Sequence, residues 1–87
     1  MESNIRHQDK TTGAPFIIYA ALFPDKELKK LQVIPAANHF TILSEDGMPM
    51  CMLTYQPEKQ PSWQQEEGHL YPEAVNSIGH AIETYSG

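Results

Sequence analysis

The sequence predicts an α+β fold: an antiparallel four- to five-stranded meander with one C-terminal helix packed on one face. Three observations carry this. Short β-branched, aromatic or aliphatic runs of strand length are separated by prolines and by one Asp-Gly pair. Only the last stretch of the chain repeats apolar residues at helical spacing. At 87 residues and 9.8 kDa the chain supports a single modest core, with about 64% of its unfolded surface removed from water.

The elements follow in order. Residues 1–13 (MESNIRHQDKTTG) carry one large aliphatic residue, Ile5, besides Met1. They bury too little to offset their ordering entropy, so they read as a flexible N-terminal arm ahead of a single domain over 14–87. Ala14 to Phe23 is the most apolar run, and Phe16, Ile17, Ile18 and Tyr19 favour a strand. It is apolar on both sides, which predicts a central or covered position. Pro24-Asp25-Lys26 reads as a turn. Leu28 to Ile34 alternates as a half-buried strand and stops at Pro35-Ala36-Ala37-Asn38. His39 to Leu43 is the next strand. Asp46-Gly47 then marks a hairpin, because glycine accepts a positive φ, and the returning strand runs from Met50 to Tyr55.

Gln56 to Pro61 is a polar loop, and residues 62–65 read as a short last strand bearing the one Trp. Glu66-Glu67 reads as a solvated loop. Pro72 suits a first helical turn, since its missing N–H costs nothing there, and Glu73 suits the positive end of the dipole. Val75, Ile78, Ile82 and Tyr85 then form one stripe, widened by Ala74 and Ala81. Gly79 inside this helix costs about 1 kcal/mol against Ala. Close approach of the helix to the sheet is the expected reason.

The same order resembles short uncharacterised bacterial proteins built as a β-meander followed by one C-terminal helix. The residues that carry the resemblance are His39-Phe40-Thr41-Ile42, Trp63-Gln64-Gln65, Leu70, Glu73, Ile78 and Ile82-Glu83, within roughly residues 28–85. It consists of apolar spacing, one Trp and a helix end. It implies the fold and no activity. Tyr71 departs from the pattern, standing where Ser, Thr or Asp caps such helices.

Composition narrows the function classes. The longest apolar stretch falls well short of the ~20 residues that span a bilayer, and the polar start lacks the form of a cleaved signal. No membrane association and a cytoplasmic location are therefore expected. Six Lys and Arg against eleven acidic residues argue against a nucleic-acid partner. The charge is uneven: residues 1–30 hold five basic and four acidic groups (net +1), and residues 31–87 hold one and seven (net −6).

Chemistry-bearing residues are sparse. Cys51 is the only cysteine, which rules out an internal disulfide. Its place in a strand between Met50 and Met52 suits a small core residue better than a nucleophile, which needs an electropositive setting. His7, His39, His69 and His80 show no i, i+4 pair, so a metal site needs long-range assembly. No G-x-S-x-G, G-x-G-x-x-G or Walker pattern occurs, and no cofactor is expected. Met48-Pro49-Met50-Cys51-Met52 is the least ordinary segment; it reads as core filling or as an adaptable apolar contact surface.

One helix covers only part of such a sheet. This predicts a non-enzymatic interaction or regulatory module that acts as a homodimer, or meets another protein, through Phe16, Ile18, Met50, Met52, Tyr55 and Trp63. Two alternatives stand beside it. One is an acidic inhibitor or immunity-type protein that uses the acidic remainder to attract a basic partner. The other is a small-ligand or metal-binding protein built on Cys51 and the histidines. What covers the sheet face away from the helix discriminates among them.

Overall fold

The computed structural model describes residues 14–85, and the arm expected over 1–13 lies outside the described residues. Five strands, β1 (Phe16–Ala21), β2 (Leu28–Ala36), β3 (His39–Leu43), β4 (Pro49–Tyr55) and β5 (Trp63–Glu67), precede one helix, α1 (Pro72–Thr84). The strands pair antiparallel in sequence order, so the sheet is a simple meander with β1 and β5 as its edges. The predicted α+β meander with a C-terminal helix is the architecture found.

The turns explain the register. β2 and β3 join through Ala37-Asn38, with φ of +49° and +75°, between the paired residues Ala36 and His39. Two positive φ values in a two-residue loop are the twist that right-handed strands accept. The β3–β4 turn is the Asp-Gly turn anticipated from sequence. Gly47, at φ +89°, donates its N–H to Ser44 O at 2.9 Å, and Ser44 N–H reaches Met48 O at 2.8 Å.

β2 runs through Pro35 instead of stopping before it. The backbone groups of Leu31 and Val33 point toward β1, and by alternation so does the nitrogen of Pro35. Phe16, the first residue of β1, already pairs with Val33. The missing N–H therefore points beyond the end of β1, where no ladder bond is lost. Glu66 and Glu67, read from sequence as a loop, are exposed residues of β5. Glu67 pairs with Met52, and Glu66 is the extra residue of the register shift at Met52/Leu53 that lets β5 continue alongside β4.

One face of the sheet makes the core. Ile18, Leu31, Val33, Phe40, Ile42 and Leu53 project from it, with Cys51 and Trp63, against Val75, Ile78 and Ile82 of α1. Tyr71 is the N-cap without a side-chain hydrogen bond, and its carbonyl accepts the first helical bond from Val75 N–H at 3.1 Å. The helix packs chiefly against the two edge strands. On one side Ala21 N–H donates to Ser77 Oγ at 3.1 Å, and the rings of Phe16 and Tyr85 stack at 4.2 Å. On the other, Trp63 Nε1–H donates to Glu83 Oε2 at 2.7 Å. A single helical stretch thus ties the first strand to the fifth.

Candidate interaction edge

β1 is an edge strand, neither central nor covered on both sides as its composition suggested. Its inward residues, Ile18 and Ala20, are buried, while Ile17 and Tyr19 face out. The helix covers only the inner side. On the outer side Tyr19 (58% exposed) and Ile17 (39%) stand on β1, while Leu28 (68%) and Ile34 (37%) stand toward the two ends of β2, with Lys30 and Gln32 between them opposite Tyr19 and Ile17. The rest of this face is interrupted by polar residues. Register places Thr41 beside Ile34 and Met52, His39 beside Thr54, and Gln64 beside Thr54.

The backbone of the edge adds to the patch. Because Ala21 N–H turns away from β2 to reach Ser77, the alternating ladder directs the N–H and C=O of Ile17 and Tyr19 the same way. Among the described residues these groups have no hydrogen-bond partner. Pro15 brings no N–H to the strand's other end. The open edge is therefore two residues long. A groove of about 420 Å³ runs along it, walled on the other side by Ser77, His80, Ala81, Thr84 and Tyr85.

The side chains anticipated as a contact surface fall elsewhere. Ile18 and Trp63 are buried in the core. Phe16, Met50 and Tyr55 are half-buried and pack against that core, and Tyr55 tilts onto the Trp63 ring at 5.0 Å. Met52 is half-buried on the opposite face of β4. The six form no shared exposed surface. The alternation of β1 puts Ile17 and Tyr19 outside instead. The signal that finds them is strand order, which local composition does not carry.

The residues weighed for chemistry stay apart. Burial pushes the Cys51 thiol from its ordinary 9.0 up to about 11. Gly68 backs onto it, since a Cβ there would stand 2.7 Å from Cys51 Cβ. His39 opens β3, His69 lies between β5 and α1, His80 lies on the exposed side of α1, and His7 lies outside the described residues. Among the described residues no three His, Cys, Asp or Glu side chains come together as metal ligands, and no helix is long and apolar enough to cross a membrane.

The seven carboxylates of residues 31–87 do not share one face. Glu45 and Asp46 lie in the β3–β4 turn and Glu58 in the β4–β5 loop, at opposite ends of the meander. Glu66 and Glu67 lie on β5, and Glu73 and Glu83 on α1. No family model, curated protein or solved structure gives a significant match to the chain.

Proposed function

We propose that the protein is a small non-enzymatic interaction module that acts as a homodimer, of a kind with the short bacterial proteins of this layout. The observation behind the reading is the exposure of Ile17 and Tyr19 on the open edge of β1, with Leu28 exposed at the near end of β2. Scattered exposed apolar residues need no explanation, but two large ones on the unpaired edge of a sheet suit a contact surface. The raised pKa of Cys51 supports a packing role, because a thiol used in chemistry is tuned downward. The spread of the carboxylates favours contact through β1 over contact through an acidic patch. Light scattering from low to high micromolar concentration tests the reading. A concentration-dependent dimer is expected. A monomer throughout, without hydrophobic-dye binding, overturns it.

A further inference from the structure

We infer that two copies of this chain join edge to edge through β1, antiparallel about a twofold axis at Ile18, so that Ile17 of one copy pairs with the partner's Tyr19. This rests on the homodimer reading above and names its seam. The backbone sets the register. The outward groups belong to Ile17 and Tyr19 alone, since Ala21 N–H is committed to Ser77 Oγ and Pro15 has no N–H to give. A twofold at Ile18 matches Ile17 with the partner's Tyr19 and Tyr19 with the partner's Ile17. Each such pair exchanges two N–H···O bonds, which makes four across the seam. The next pair outward, Pro15 with the partner's Ala21, has no free donor on either side, so the ladder ends where the unpartnered groups end.

Side chains and charge agree with a second copy as the occupant. On the outer face the register sets Ile17 beside the partner's Tyr19, a β-branched–aromatic pair of the kind that stabilises sheets. Leu28 of each copy, beside Ala21, flanks the pair. The run from Ala14 to Pro24 carries no charge in a chain of net charge −5, so two copies meet over the neutral part of an acidic molecule. The register also sets Phe16 beside the partner's Ala20, whose neighbour in the sheet is Lys29. On the helix side Lys29 is already held by Asp25 at 3.5 Å and Glu27 at 3.4 Å in its own chain, so it lends the seam no free charge.

The test combines the unaltered protein with one variant. Amide exchange at Ile17 and Tyr19 is followed across the concentration range in which light scattering reports dimer. Slowing at both amides with dimer formation is expected, with Ala21 unchanged because Ser77 already holds it. Tyr19→Pro removes an N–H that the monomer does not use. It is expected to weaken the dimer ~10-fold or more by deleting two of the four bonds, with the circular dichroism spectrum unchanged. If Tyr19→Pro does not fold, the exchange data on the unaltered chain decide alone. A dimer whose Ile17 and Tyr19 amides exchange as fast as in the monomer overturns this seam and leaves the homodimer reading standing. A monomer at every concentration overturns both.

Discussion

The indole ring of Trp63 occupies the space that a side chain at position 79 would need. A Cβ built on Gly79 would stand 2.6 Å from the indole Nε1 and closer still to Cδ1. The close approach expected from sequence is thus to one residue of β5, and the indole is held there by its 2.7 Å hydrogen bond to Glu83, one turn further along the helix. Two effects of Gly79→Ala oppose each other. Helix propensity favours Ala by about 1 kcal/mol, and overpacking against a fixed ring costs about 1–3 kcal/mol. With backbone and ring in direct conflict, the steric term wins. Gly79→Ala is expected to lower stability by up to about 2 kcal/mol in urea unfolding, and a double-mutant cycle with Trp63→Leu should recover much of that loss. A stabilised Gly79→Ala variant would show that the helix stands off from the ring.

Ala37 is a turn residue of the wrong type. At φ +49° its Cβ crowds the following carbonyl, which costs an L-residue about 1–2 kcal/mol. Glycine adopts this conformation freely but gives up more entropy on folding. Ala37→Gly is therefore expected to raise stability by about 0.5–1 kcal/mol, read as a higher urea midpoint at unchanged slope. Asn38, at φ +75°, also sends its Nδ2–H to Tyr55 O at 3.4 Å, so the same change at 38 should help less.

The Cys51 thiol ties stability to alkaline pH. Its ordinary value is 9.0 and burial lifts it to about 11. Between these values the folded chain keeps a proton that the unfolded chain has lost, so stability is level below about pH 8 and falls from about pH 9 to pH 11. The two-unit shift corresponds to about 2–3 kcal/mol by the top of that window. Cys51→Ala should remove this part of the alkaline loss, read as the difference between the two stability–pH curves. Native Cys51 should also react at least ~10-fold more slowly than an ordinary thiol at pH 8, because burial lowers both its thiolate fraction and its access to reagent. Fast native reaction would mean that the strand opens there.

Ser77 satisfies the one outward amide of β1 that the helix reaches. Ser77→Ala leaves Ala21 N–H without that acceptor in a half-buried place and should cost about 1 kcal/mol. Exchange at the Ala21 amide should speed up more than at its neighbours. An unchanged Ala21 amide would show that another acceptor serves it.

Much of this fold is legible in the sequence, for reasons particular to each element. The Val75, Ile78, Ile82 stripe and Pro72 bound the helix because amphipathic spacing and a first-turn proline each admit one local reading. Asp46-Gly47 fixes its turn because glycine marks the positive φ. Ala37 hides the other tight turn, since nothing in an alanine announces a left-handed backbone. Pro35 does not end β2, because whether its missing N–H matters depends on where a different strand ends. The exposed side of β1 is the least legible feature. Ile17, Ile18 and Tyr19 look alike in sequence, and only the place of β1 at the rim decides which of them meets water.

The tie between the first and fifth strands bears on the order of assembly. Each hairpin joins neighbours in the chain and closes over a short loop. The helix follows all five strands, and only its arrival seals the inner face. During synthesis Ile18, Val33 and Ile42 therefore remain wet until more than thirty further residues have been made. The growing chain passes through a stage with an apolar sheet face and two bare rims, the form most prone to stick to its own kind.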